Sequence, residues 1–462
     1  MELMQPLDAA FLLAESREHP MHVGALMLFE PPADAGPEYV REIYEQMIND
    51  VNYHPTYLKR PVSPIGNVST WAWAQDEEID VDYHVRRVAM PTPGRIRELL
   101  SAVSRWHGTL LDRHRPLWEV HVIEGLADGR FAIYLKIHHA LMDGVSALRH
   151  IERHLSVDPA ARDCPPLWSR RDTAAQKGRK DQSAQAAPTS PLRTLLDSGA
   201  KVAAGLADIA DVVRIGRMAL VDDDLVLPGS APKTMFNVPI GGARRFAAQS
   251  WDLKRINAIR QAAGVSVNDV VLAMCSGALR TYLLEHDGLP EESLNAFVPI
   301  STRTPDKADA GGNAVGVILC RLGTHLADPK ERLDVISAST GSGKNLYRSV
   351  GTYSGLAWTL ASVSPMLAAS LPGVAAISPR SFNVIVSNVP GPRQTMYWNG
   401  AKLTGMYPVS VVTEGQALNI TLTNNDDKLD FGVIGCRRSV PHLQRILTHL
   451  ETALRELEAA YS

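Results

Sequence analysis

Residues 117–155 constrain the fold of this chain more than any other stretch. Two apolar runs, 117–125 and 131–138, flank Ala127-Asp128-Gly129. That turn sequence offers a local hydrogen-bonding carboxylate and a glycine for left-handed backbone, so the two runs predict a β-hairpin. The second run ends in His138-His139-Ala140-Leu141-Met142-Asp143-Gly144, and a helix through Leu155 is predicted next, with Val145, Leu148, Ile151, Glu152 and Leu155 partly at helical spacing. Neighbouring side chains on a strand point to opposite faces, so the two histidines cannot enter one cavity unless the strand breaks between them. One histidine is thus expected to be structural and the other free for chemistry.

Around this block the chain alternates in type. Residues 21–29 read as a buried strand, 37–49 as a helix with Pro37 in its first turn, and 95–107 as another helix. From 169 to 190 almost nothing is apolar; the composition predicts a flexible linker, and its cluster Arg170, Arg171, Lys177, Arg179 and Lys180 reads as a solvated tether. Residues 192–220 suit an amphipathic helix. Strands are expected at 246–251, 295–300, 315–322, 382–388, 402–412, 417–424 and 429–436, and helices at 254–263 and 267–286. A last helix, capped by Ser439 and Pro441, carries the apolar stripe Leu443, Ile446, Leu447, Leu450, Leu454 and Leu457. The expected organisation is mixed α/β (α+β): an N-terminal lobe over 1–160, a linker over 161–191 and a C-terminal lobe over 192–462. Residues 355–377 carry no charge, but Pro365 and Pro372 interrupt them, so a buried helix pair is expected there and membrane contact stays open.

Composition removes several classes of function. Forty-seven Lys plus Arg against fifty Asp plus Glu leave a net charge of −3, without the basic excess of a nucleic-acid binder. Cys164, Cys275, Cys320 and Cys436 lie far apart with no CxxC pair, which argues against a zinc finger or a disulfide framework and suits a reducing cytoplasm. The start of the chain has no basic-then-apolar secretory pattern. Gly341-Ser342-Gly343-Lys344-Asn345 resembles a phosphate loop, yet Ala338 stands where its first glycine belongs and Asn345 where a magnesium-holding hydroxyl belongs. Neither GxSxG nor HExxH occurs.

Three chemistries compete for the histidine pair. Adjacent histidines on a strand grip one metal ion poorly, and no further ligands lie nearby in sequence. A buried core pair is the second reading. The third, general-base catalysis, fits best: a neutral imidazole, with an ordinary pKa of about 6.5, can take a proton from an alcohol attacking an activated carbonyl. Asp143, at the helix start, is expected to brace the turn through an arginine.

HHxxxDG resembles the signature shared by chloramphenicol acetyltransferase-like enzymes, peptide-synthetase condensation domains and the bacterial wax ester synthase/diacylglycerol acyltransferases. Further segments are similar to the last of these. They are Pro6-Leu7-Asp8 with Phe11-Leu12, Met21-His22-Val23-Gly24, Arg115-Pro116-Leu117-Trp118-Glu119, Val267-Asn268-Asp269-Val270-Val271-Leu272-Ala273, Val298-Pro299-Ile300-Ser301-Thr302-Arg303, Gly312-Asn313 and Ser387-Asn388-Val389-Pro390-Gly391-Pro392. The resemblance runs in order from about residue 3 to residue 455.

What the resemblance implies is a two-lobed chloramphenicol acetyltransferase-like (CoA-dependent acyltransferase) fold with an interlobe tunnel. The implied reaction is direct transfer of a long-chain acyl group from acyl-CoA to a diacylglycerol or a fatty alcohol. His139 would be the general base, His138 its support, and Gly144 would leave room for substrate. No bound cofactor or metal is implied; acyl-CoA is the co-substrate. Asn268, in the first turn after the N-cap Ser266, is an oxyanion candidate with an equal claim to capping its own helix. Arg303 would pair with Asp143 or meet a CoA phosphate, and Asp269, Pro116, Leu117 and Trp118 would line the substrate or CoA path or serve the fold. Asp430-Phe431-Gly432 resembles a structural signature of plant acyltransferases. The expected partners are acyl-CoA, lipid alcohols and a membrane or lipid-droplet surface, with a cytoplasmic, peripheral location, no nucleic acid and no obligatory protein partner. The competing readings are a condensation-type transferase using a carrier-protein thioester and a catalytically idle lipid-surface protein.

Overall fold

The hairpin anticipated from the sequence lies within a six-stranded sheet. The structure is a computed structural model that describes residues 1–63, 71–170, 217–218, 221–301, 315–349, 355, 358–359, 361–363 and 379–462. The first half runs β1 (Glu2–Leu3), α1 (Pro6–Ala14), β2 (His22–Glu30), α2 (Tyr39–Asn49), β3 (Lys59–Val62), β4 (Ala72–Gln75), α3 (Val81–His84), β5 (Val85–Ala89), α4 (Ile96–His107), β6 (Trp118–Glu124), β7 (Phe131–His138) and α5 (Gly144–His154). The second half runs β8 (Arg244–Asp252), α6 (Leu253–Ala263), α7 (Val267–Leu284), β9 (Asn295–Ser301), β10 (Val315–Arg321), α8 (Pro329–Ser349), β11 (Val384–Val389), β12 (Tyr397–Trp398), β13 (Ala401–Val409), β14 (Leu418–Asn425), β15 (Lys428–Cys436) and α9 (Arg445–Ala460).

Two compact units result. The first comprises Met1–Leu195, Val389–Val411 and Thr423–Asp430; the second comprises Leu196–Asn388, Val412–Leu422 and Phe431–Ser462. The first unit holds the sheet β12-β13-β2-β7-β6-β5 and a small sheet β1-β4-β3. In the larger sheet only β5 and β6 pair parallel; β7 lies antiparallel between β6 and β2, with His138 opposite His22 and Lys136 opposite Glu119. Alternation sorts the two faces. Val23, Ala25, Met27, Val120, Val122, Ile133, Leu135 and Ile137 share one hydrophobic core. The residues between them, His22, Glu119, His121, Tyr134, Lys136 and His138, are buried too.

Helix α4 supplies the partners of that polar face. Lys136 Nζ donates to the carbonyls of Trp106 (3.1 Å) and Thr109 (3.0 Å) and lies 3.3 Å from Glu119. Trp106 stacks on His121 with centroids 4.2 Å apart, and His107 Nδ1 lies 2.7 Å from the Tyr134 hydroxyl. Gly24 lets this layer close: a Cβ there would sit 2.6 Å from the Leu135 carbonyl oxygen.

The second unit carries the sheet β10-β9-β11-β14-β15-β8. Its helix α7 is buried almost continuously from Asp269 to Leu279 and packs on α8 and α9. Gly277 makes the α7–α9 approach possible, since a Cβ there would fall 2.7 Å from that of Ala453. Arg255 on α6 bridges Glu451 and Glu458 on α9.

The structure departs from the sequence expectations in four places. Residues 161–170, assigned to the linker, are built into the first unit: Trp168 is fully buried, stacks on Trp118 at 5.5 Å, and the next residue, Ser169, donates to Asp50 (2.6 Å). Burial of one large aromatic side chain outweighs the polar composition around it. Strands β12 and β13, assigned to the C-terminal lobe, belong to the first unit, where β13 pairs with β2 from Lys402↔Glu30 to Val409↔Gly24. The last helix begins at Arg445, not at Ser439, because His442 adopts left-handed backbone (φ 52°) and interrupts it. No helix is expected over 329–349 from the sequence, yet helix α8 runs through residues 341–345 with Gly343 against Ile318, in agreement with the rejected phosphate loop. Most of the expected helix 192–220 and of the uncharged stretch 355–377 lies outside the described residues.

The turn that contains Gly391 packs tightly. A Cβ at Gly391 would stand 2.3 Å from the Asn424 carbonyl oxygen and 2.4 Å from Thr423 Oγ1. Gly391→Ala should therefore destabilise the protein by about 1–3 kcal/mol, read as a lower denaturant midpoint. An unchanged midpoint would mean that the turn yields at no cost.

Candidate active site

Strand β7 ends at the histidine pair while its amides still alternate between neighbours. The His138 N–H donates to the Leu117 carbonyl on one side (2.9 Å), and the His139 N–H donates to the Met21 carbonyl on the other (2.9 Å). The chain then turns, with the amides of Leu141 and Met142 returning to the His138 carbonyl at 2.9 and 3.3 Å. Leu12, Trp73, Leu111, Leu117 and Ala140 form the apolar cluster that carries this turn.

His138 enters the buried polar layer. The Ala140 N–H donates to its Nδ1 (3.0 Å), which places its proton on Nε2, 3.3 Å from Glu15 Oε1. That approach is close, though not aligned as a full hydrogen bond. Glu15 also accepts from the Met21 N–H (3.1 Å) and, through Oε2, from Arg113 Nε and Nη2 at 3.2 and 3.0 Å. Burial alone would raise the Glu15 carboxyl, but His138, the Met21 amide and Arg113 together hold it below the ordinary value.

His139 points elsewhere. Its ring stacks on Phe11 of α1, centroids 4.1 Å apart and 28° between planes. Nδ1 is buried without an aligned partner among the described residues, while the ring keeps an accessible edge. Burial pushes its pKa down to about 4, His138 adds to the depression, and the Asp143 carboxylate opposes it. The imidazole is therefore neutral near pH 7 with a lone pair to offer.

Asp143 takes a different partner from the one expected. Its carboxylate accepts from the Ser146 N–H (2.8 Å) and hydroxyl (3.0 Å), capping α5, and no arginine pairs with it among the described residues. An N-cap aspartate is satisfied by the free amides of its own helix, so no cation is needed. Gly144 opens that helix, and a Cβ on it would meet nothing within 4 Å. A cavity of about 150 Å³ borders the turn, lined by Ala140, Leu141, Asp8, Lys59, Thr56 and Trp73 among others.

The remaining candidates divide. Trp118 is fully buried in the hydrophobic core, its Nε1 donating to the Tyr57 carbonyl (2.8 Å); Leu117 sits in the cluster under the turn, and Pro116 is buried beside them. These three serve the fold, not a ligand-lined path, because none retains surface to present. Asp269 is likewise structural: its carboxylate accepts from the Ser266 N–H and hydroxyl and from Thr340 on α8 (2.8 Å). Asn268, one residue earlier in the first turn of α7, is half-buried, and the cap of this helix is made by Ser266 and Asp269. Arg303 lies outside the described residues. Among the described residues no three His, Cys, Asp or Glu side chains converge as a metal site would require. Glu15 and Arg113 had no signal in the sequence, since 98 residues separate them and neither lies in a motif.

Comparison with known proteins places this geometry. Residues 4–271 match the wax ester synthase/diacylglycerol acyltransferase catalytic domain, and residues 311–458 match the C-terminal domain of the same proteins. A probable diacylglycerol O-acyltransferase of Mycobacterium tuberculosis is 50% identical over 100% of this chain and 99% of its own. The O-acyltransferase WSD of Acinetobacter baylyi is 40% identical over 99% and 97%. Among solved structures, the wax ester synthase/diacylglycerol acyltransferase from Marinobacter aquaeolei VT8 superposes with a TM-score of 0.78 at 40% identity, covering 99% of both chains. The first condensation domain of the CDA synthetase shares the fold alone, with a TM-score of 0.56 at 15% identity over 99% of this chain and 95% of that one.

Buried histidines make stability depend on pH. His22, His54, His84, His121, His139 and His150 all have their proton affinity lowered, by burial first. Below about pH 6.5 the unfolded chain binds protons that the folded state refuses, so stability falls as pH drops from there toward 4 and is level in this respect above pH 7. Melting temperature followed by circular dichroism should hold between pH 8 and 7 and then fall steeply. A flat profile from pH 7 to 5 would show that the folded protein accepts those protons.

Proposed function

The chain belongs to the wax ester synthase/diacylglycerol acyltransferase family, and on that premise we propose that it transfers a long-chain acyl group from acyl-CoA to a diacylglycerol or long-chain alcohol, with His139 as general base. The observation that carries this reading is the neutral His139 ring, oriented by the Phe11 stack and by its own amide, with one edge accessible.

In this mechanism the accessible ring nitrogen takes the proton of the acceptor hydroxyl as its oxygen attacks the thioester carbonyl. The tetrahedral intermediate then breaks its C–S bond, and the departing CoA sulfur takes the proton from His139. No acyl-enzyme is needed. All four cysteines are buried and free, and burial pushes the Cys275 and Cys320 thiols up to about 12, so these two do not offer a thiolate. The open space beside Gly144 is assigned to the acceptor.

The substrates are insoluble in water, so we also propose that the protein works peripherally on the cytoplasmic face of a membrane or on a lipid droplet. Leu13, half exposed on the helix whose Phe11 stacks on His139, supports that reading. Among the described residues no single helix is long and apolar enough to cross a membrane.

Purified protein should release free CoA thiol only when a long-chain alcohol or diacylglycerol is supplied. His139→Ala should cut that rate by about 10² to 10⁴-fold with an unchanged circular dichroism spectrum; full activity in this variant would sink the assignment. Release that demands a carrier-protein thioester would point to condensation chemistry, and liposome binding without any product would mark an idle lipid-surface protein. With the base depressed to about 4, kcat/KM should stay level from pH 8 down to about 5. A fall already centred near 6.5 would mean that the ring is more exposed to water than its packing implies. Gly144→Ala should keep its melting temperature yet lose kcat/KM, and an unchanged kcat/KM would remove the acceptor from that space.

A further inference from the structure

Glu15 sits at the end of α1, its side chain 1% exposed, with both carboxylate oxygens engaged. Oε2 faces Arg113. Oε1 faces two groups at once, the Met21 N–H at 3.1 Å and His138 Nε2 at 3.3 Å. Those two residues are also the ones that hold the main chain around His139. The Met21 carbonyl receives the His139 N–H (2.9 Å), and His138 Nδ1 receives the Ala140 N–H (3.0 Å). The peptide units before and after the His139 Cα are therefore each tied to a residue that Glu15 grips.

Arg113 completes the arrangement. Its Nη2 donates to Glu15 Oε2 and to the Leu12 carbonyl (2.7 Å), next in sequence to the Phe11 that stacks on the His139 ring. One buried carboxylate thus reaches the amides before and after His139 indirectly, through Met21 and His138, and its guanidinium partner touches the helix against the His139 ring.

We propose that Glu15, clamped by Arg113, is a positioning residue for the base: it fixes the His139 backbone through Met21 and His138, and holds His138 in its Nε2-protonated tautomer. This rests on His139 being the base. Glu15 touches no reacting atom, and its effect belongs in kcat, because a ring displaced by a fraction of an ångström still leaves the substrate groups of the protein in place.

The test uses the full-length enzyme with Glu15→Gln and Glu15→Ala. Glutamine keeps an acceptor for the Met21 N–H but loses the charge facing His138 and Arg113; alanine loses both. The expected order of kcat is wild type, then Gln, then Ala, with Ala down by roughly tenfold to a hundredfold and the KM for acyl-CoA within about threefold of wild type. With ¹⁵N-histidine labelling, the wild-type His138 signal, assigned by His138→Gln, should show the Nε2–H tautomer, and Glu15→Ala should show a mixture. Wild-type kcat in both variants would overturn the proposal, as would a loss that appears only as raised KM, or an unchanged tautomer signal in Glu15→Ala. His139→Ala separates the two readings. If that variant is fully active the base assignment fails, whereas an inactive His139→Ala beside fully active Glu15 variants removes only the positioning role.

Discussion

Everything at the site depends on the alternation of β7 between two neighbours. A strand held on both edges has no freedom to rotate, so each side chain goes to one face or the other. At the end of β7 this rule places His138 with Lys136 and Tyr134, inside the polar layer, and the turn that follows carries His139 out of it. Two identical residues thereby acquire different surroundings, one held between a carboxylate and a backbone amide and one against an aromatic ring.

The polar layer under α4 is an expensive place to put ionisable groups, and its charged members are paired although His22 Nδ1, both His121 ring nitrogens and His138 Nε2 make no aligned hydrogen bond. Lys136, fully buried, has two carbonyls and the Glu119 carboxylate around it. Burial alone would raise Glu119, but His121, Lys136 and Arg86 hold it down to about 2, so the carboxylate stays charged, while burial lowers the Lys136 ammonium and Glu119 opposes that shift. Such a layer tolerates no slip in register: a shift of one residue would bury these charges against Val120 and Ile133. The hydrophobic face gives the sheet its stability, and the polar face makes its register unique.

How far the sequence foretells this can be seen in particular residues. Periodicity and turn chemistry found β2, β6, β7, α4, α5 and most strands of the second unit within a residue or two, because each is a local pattern of burial. The exceptional spacing of His138, His139, Asp143 and Gly144 marked the site. Periodicity cannot choose a strand's partner, so β13 was placed with its sequence neighbours although it pairs with β2. It missed α8, whose glycines at 341 and 343 weaken the helical pattern while Gly343 serves close packing on Ile318. It expected an arginine on Asp143, where backbone and hydroxyl donors of α5 suffice. It could not see Glu15 and Arg113, since two charges distant in sequence become a pair only once α1 and the segment after α4 meet.

The pairing of β13 with β2 also sets a schedule for biosynthesis. Residues 22–30 emerge early from the ribosome, but the strand that covers their outer edge is not made until residues 401–409 have been translated. For most of its synthesis the histidine-bearing sheet has an open, apolar edge that invites pairing with other chains. The first unit can close only when about nine-tenths of the 462-residue chain exists, so a nascent or truncated chain carries that edge unpaired and does not complete the sheet behind the histidine turn ahead of time.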